Sequence, residues 1–141
     1  MDTETLFSAV GTAAMIGWLA LLASPFIKRW AWVISGAIIP LLLSVAYVGL
    51  ILAFWSGAEG GFDTLANVQK LFEIPELALA GWIHFLAFDL FVGVWVARTA
   101  AREEIRFWFV IPCLFLTFMF GPAGFLAFTA LRLAHGKGVL P

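Results

Sequence analysis

The sequence predicts an all-α integral membrane protein, a four-transmembrane-helix antiparallel bundle with a short amphipathic interfacial helix between spans two and three. Three observations carry this expectation. Hydrophobic residues make up 63% of the 141-residue chain and charged residues only 12%, against roughly 25% charged in soluble domains. The mean hydropathy is +1.02. The charges also cluster, leaving uncharged runs over 5–27, 30–58 and 107–131 and an apolar run over 77–97 broken only by Asp89. Each run meets the requirement of about 20 apolar residues for a helical crossing. One membrane domain over 1–141 follows, with spans at about 5–27, 31–55, 77–97 and 107–131.

Span one opens on Asp2 and Glu4 rather than on a basic segment, and its apolar part is too long for a signal peptide's h-region, so it reads as a retained helix. Pro25 to Arg29 joins it to span two, where Pro40 removes a backbone donor and bends the helix. The next connection, SGAEGGFDTLANVQKLFEIP from Ser56 to Pro75, is the long one. After the Gly60-Gly61 breaker, Asp63 or Thr64 is placed to cap a helix whose apolar positions Phe62, Leu65, Val68, Leu71 and Phe72 follow a three-to-four spacing. That pattern suits a helix lying on a membrane surface. Span three contains WIHFLAFDLFVG, from Trp82 to Gly93, and Arg98 to Arg106 leads into span four. There Pro112, and Pro122 within GPAG (Gly121 to Gly124), introduce bends. The small residues around Pro122 let a helix or a flat ligand approach the backbone.

Trp30, Trp32, Trp55 and Trp108 fall near span ends, as an aromatic belt requires. With four spans, Lys28, Arg29, Arg98, Arg102 and Arg106 lie on one side, and Lys70, Arg132 and Lys137 on the other. The first side is then cytoplasmic, with both termini and the long loop outside. Cys113 is the only cysteine, so no intramolecular disulfide forms. A net charge of −1 without a basic block argues against nucleic acid.

Asp89 is the most informative residue. An acid at the centre of a span costs roughly 2.5–3.5 kcal/mol on insertion scales, and no basic residue shares its depth. In that setting the neutral, proton-donating acid is the expected form. Counting ~1.5 Å per residue puts His84 level with Tyr47 in span two, and near the height of Thr12 and of Gly121 to Gly124. Asp89, Ser44 and Thr117 come out deeper. His84 and Asp89 are ~140° apart around the helix and ~7.5 Å apart along it. They read as two poles of one cavity rather than as a pair. Asp89 shares its face with Trp82, Leu86 and Gly93, and His84 shares its own with Ala87, Phe88 and Phe91. No HExxH, CxxC or phosphate loop is present. The spacing does not demand a metal held by His84, Asp89 and Glu73 or Glu76, so neither metal nor cofactor is expected.

WIHFLAFDLFVG followed by LTFMFGPAGFL, Leu116 to Leu126, resembles the abscisic-acid-deficient-four-like family, small polytopic membrane proteins whose plant member is needed to form neoxanthin. The likeness is close over the last two spans and extends to the rest through span count, length and loop position. Without a plant transit segment, the chain looks like a bacterial relative, a multi-pass protein of the inner membrane. The resemblance implies an isomerase-type reaction on a carotenoid, opening a 5,6-epoxide end ring to an allenic alcohol without net redox change. Such chemistry needs an acid and a base. By chemical type and depth, Asp89 suits the acid, His84 the base and Tyr47 a hydrogen-bonding helper, with Trp82, Phe88, Thr117, Gly121, Pro122 and Gly124 around the lipophilic substrate. Two other readings stand beside it: a non-enzymatic carotenoid- or lipid-binding or assembly subunit, and a small proton-coupled transporter. The transporter would need the homodimer that the small-residue faces permit.

Overall fold

The computed structural model describes residues 2–139 and is built from six helices: α1 (Thr3–Leu22), α2 (Ser24–Gly57), α3 (Leu65–Phe72), α4 (Pro75–Arg102), α5 (Phe107–Phe120) and α6 (Pro122–Ala134). Three of them, α1, α2 and α4, are long and apolar enough to cross a membrane.

Local chemistry sets most boundaries. Asp2 caps α1 by accepting the Thr5 N–H at 2.8 Å. α2 is not a regular rod: its backbone breaks at Ile27 (φ −122°, ψ 36°) and widens to a π-helical turn over Ile34–Ile38. The widening precedes Pro40, whose missing N–H and bulky ring are incompatible with a tight turn. Within it, the buried Ser35 hydroxyl donates to the Gly17 carbonyl at 2.6 Å, fastening α2 to α1. Thr64 caps α3, accepting the Asn67 N–H at 3.2 Å. Gly60, at φ +127°, folds the preceding loop so closely onto α3 that a Cβ there would stand 2.5 Å from the Asn67 carbonyl oxygen. Only Leu71 of the five apolar positions is buried, while Phe62, Leu65 and Phe72 face outward.

α4 is the central helix, with buried residues along its whole length. Trp18 of α1 lies over Gly93, where a Cβ would come within 2.7 Å of the ring, and meets Phe118 edge-on at 5.5 Å. Trp95 packs on Phe125 and Phe128 of α6. The outer surface is apolar: Phe26, Val45, Leu52, Trp108 and Leu126 are all strongly exposed, far more than a water-facing surface carries.

The fourth expected span is not one helix. A straight helix over 107–134 would hold Phe109 and His135 ~39 Å apart, yet their rings lie 5.9 Å apart, centroid to centroid. Gly124 packs directly against Thr117, and Arg132 bonds Glu103, the residue that follows α4. α5 and α6 are therefore two arms of a hairpin, of 14 and 13 residues, or ~21 and ~20 Å. Each falls short of a ~30 Å hydrocarbon layer. The reversal is made at Gly121 (φ 38°, ψ −88°) followed by Pro122. A residue before proline is pushed out of the α region, glycine alone tolerates the positive φ, and Pro122 then starts a new helix at its first position. GPAG is a turn where the sequence suggested a bend.

The hairpin also corrects the expected arrangement of ends. Thr3 donates to Glu76 at 3.3 Å, so α1 and α4 start at the same end of the molecule. Arg132 and Lys137 return to the end that carries Arg102, opposite the N-terminus rather than beside it. Seven of the eight Lys and Arg residues, all but Lys70, gather there.

Candidate functional site

Asp89 stands near mid-length of α4, ~21 Å from Pro75 and ~20 Å from Arg102 along the axis. Its residue is 7% exposed, and its Oδ2 is buried without a hydrogen-bond partner. Buried polar atoms are nearly always paired, so this one calls for an explanation. The carboxyl faces the hairpin turn: a Cβ on Gly121 would collide with its Oδ1 and crowd its Oδ2 at 3.3 Å. The end of α5 and the start of α6 meet there. Helix ends leave backbone donors and acceptors unpaired, and Gly121 offers no capping side chain to the start of α6. An acid, a break in the backbone and a helix N-terminus thus share one spot at the middle of the protein.

Gly121 limits the hairpin at the level of Asp89, so the Asp89 face of α4 loses its cover on the Pro75 side of that level. Trp82, two turns back on the same face, is 43% exposed and packs on Phe7 of α1 at 6.1 Å and on Phe85 at 5.7 Å. Gly11, one turn beyond Phe7, has nothing within 4 Å of where a Cβ would stand. Phe7 and Trp82 thus form a half-exposed aromatic pair between α1 and α4, two turns from Asp89.

His84 and Tyr47 do lie at one level, with ring centroids 5.9 Å apart, and His84 stacks on Phe88 at 4.7 Å. They line a cavity of about 240 Å³ beneath α3, together with Ile51, Phe72 and Gly81. Asp89 takes no part in it. The two groups occupy different faces of α4, and the structure does not gather them around one cavity. The hydroxyls expected near them are engaged on their own helices: Thr12 with Ser8 O at 2.9 Å, Ser44 with Pro40 O at 2.7 Å and Thr117 with Cys113 O at 2.8 Å. Thr117 and Gly124 form the close crossing of α5 and α6, and Pro122 is exposed at the turn. Residue counting puts Gly121 at the height of His84; the hairpin brings it to Asp89 instead. Among the described residues, no three His, Cys, Asp or Glu side chains converge, so the ligand set of His84, Asp89 and Glu73 or Glu76 is not assembled.

A family model described as ABA DEFICIENT 4-like matches residues 5–128. The chain belongs to that family. The match takes in α1, α2, α3, α4 and the hairpin as far as Phe128, and is not confined to the two blocks that carry the resemblance. No curated protein and no solved structure matches the chain. In this ABA DEFICIENT 4-like protein, Asp89 and Gly121 both fall within the matched region, whereas Arg132, the anchor of the hairpin, lies just past it.

Proposed function

We propose that this protein is an integral membrane protein of carotenoid or isoprenoid metabolism that isomerises a carotenoid-like epoxide at Asp89. The buried, unpartnered carboxyl oxygen of Asp89, facing the Gly121 turn, carries the reading. A carboxylic acid serving only to tie helices together would spend that oxygen on a neighbour. Left free at mid-depth beside a helix break, it matches the way membrane proteins present polar groups to a lipophilic ligand's one polar atom. The half-exposed aromatic pair of Phe7 and Trp82, two turns from Asp89, offers an apolar surface to a long substrate already dissolved in the bilayer.

One carboxyl suffices for the chemistry. Neutral Asp89 gives its proton to the epoxide oxygen as the bond from that oxygen to the polyene-bearing ring carbon breaks. The carboxylate so formed takes the proton from the adjacent polyene carbon, and the electron pair of that C–H bond completes the allene. Asp89 ends protonated, and no electrons leave the substrate. On this account His84 and Tyr47 stand outside the reacting atoms. The basic residues at the Arg102 end make that side cytoplasmic, seven against one, with the N-terminus outside and the C-terminus inside.

The test is the pigment profile of an epoxycarotenoid-producing host. Asp89→Asn should lower product formation at least a hundred-fold, the range general acid catalysis supplies, while His84→Gln lowers it less than ten-fold. Unchanged turnover by an inserted, folded Asp89→Asn protein would overturn the proposal.

A further inference from the structure

A second cavity, which Asp89 does not line, opens at the Arg102 end between α2 and α4. It measures about 530 Å³. Lys28 and Trp32, one turn apart on α2, face Arg98 and Arg102, one turn apart on α4. The break at Ile27 immediately precedes Lys28 and so sets the direction of its turn. The Arg98 guanidinium sits 5.9 Å over the Trp32 ring. No carboxylate lines the cavity, and the one salt bridge among the described residues, Arg132 to Glu103, is elsewhere. Three cations therefore line one space with no carboxylate among its walls; Glu103, which Arg132 engages, is the acid that the charge of Arg102 reaches.

The cavity is not uniformly polar. From Arg102 and Arg98 it runs back along α4 past Val94 to Phe91, ~16 Å toward mid-bilayer. One end is cationic and the other apolar. A free anion would use only the first, whereas an amphiphile uses both. We infer that this cavity binds an anionic, phosphate-bearing lipid, with its head group held by Lys28, Arg98 and Arg102 and an acyl or prenyl chain laid against Phe91 and Val94. Arginine forks suit phosphate oxygens, and basic pockets between helices at the cytoplasmic face are where anionic head groups lodge. The site is independent of the Asp89 reading and stands if that reading fails.

The test is native mass spectrometry of the full chain in neutral detergent, titrated with phosphatidylglycerol or phosphatidylcholine. The wild type should retain one phosphatidylglycerol and no phosphatidylcholine. Each charge removed should weaken retention about five-fold, so Lys28→Gln, Arg98→Gln and Arg102→Gln together weaken it on the order of a hundred-fold. Arg29→Gln, Arg106→Gln and Lys137→Gln remove the same charge outside the cavity and should change it less than three-fold. Millimolar inorganic phosphate should not displace the lipid. Equal losses in the two triple variants, or equal retention of phosphatidylcholine, would overturn the site, and displacement by inorganic phosphate would overturn its amphiphilic character. The single variants alter exposed side chains and keep the test decisive if the triple variant fails to fold.

Discussion

Gly121→Ala separates a hairpin from a kinked span by the sign of its effect. In a continuous helix, replacing glycine by alanine gains about 0.8–1 kcal/mol. At φ +38° the new Cβ is strained by roughly 1–2 kcal/mol, and it collides with the Asp89 carboxyl, an overpacking that adds roughly 1–3 kcal/mol. A loss of about 2–5 kcal/mol is expected. Part of that loss belongs to Asp89, so adding Asp89→Ala should recover the overpacking share and leave the backbone strain. Unfolding in mixed micelles on adding a denaturing detergent, followed by fluorescence of the seven tryptophans, measures all four corners of the cycle. A coupling of about 1–3 kcal/mol is expected. Strictly additive losses would refute the contact between Asp89 and Gly121, and a neutral or stabilising Gly121→Ala would refute the turn.

Topology offers a second test. In a Cys113→Ala background, Lys137→Cys should react with an impermeant maleimide from the same side as Glu104→Cys and opposite to Glu59→Cys; labelling with Glu59→Cys would restore a fourth span. At the hairpin crossing, Gly124→Val would drive its side chain into Thr117 and should destabilise by about 3 kcal/mol or more, read in the same detergent titration; a change under 0.5 kcal/mol would place the two residues apart. The hairpin's anchor titrates. The bond from Arg132, with a 2.8 Å contact from its Nε, holds the Glu103 carboxyl below the usual carboxylate range. A depressed value in the fold means stability that is fully present above the ordinary value of 4.5 and is lost as pH falls through the lower, folded value. The deficit of Glu103→Gln relative to wild type should therefore be about 1.5–3 kcal/mol at neutral pH and shrink below pH 4.5, as measured by unfolding across that range; a pH-independent deficit would assign the effect to packing.

The three long apolar helices and α3 are legible because their signals are local. Run length marks α1, α2 and α4, and Thr64 with its three-to-four apolar spacing marks α3. Counting residues from span ends paired Tyr47 with His84 correctly, since that reckoning holds where helices run through. It failed at Gly121 for the same reason. The run over 107–131 has the length and composition of a span, and hydropathy carries no information on chain direction. The only local sign of reversal was Gly-Pro, a pair that also marks bends. Once the direction was wrong, Gly121 was assigned to the depth of His84, and Asp89 was left to seek partners in Ser44 and Thr117, both bonded to their own helices. Asp89 itself was legible from charge alone. What faces it depends on the tertiary path of another segment, which no window of sequence around residue 89 encodes.

A hairpin that turns back at half depth also governs how the chain enters the membrane. On the proposed three-crossing topology, the segment from Phe107 to Ala134 starts and ends at the cation-rich face. On that topology it needs no translocation of its own. α4 makes its seat, since Asp89 receives its turn and Glu103 holds its far end. The last quarter of the chain is therefore a plug held at both ends by α4, and the surroundings of Asp89 are complete only with that plug seated.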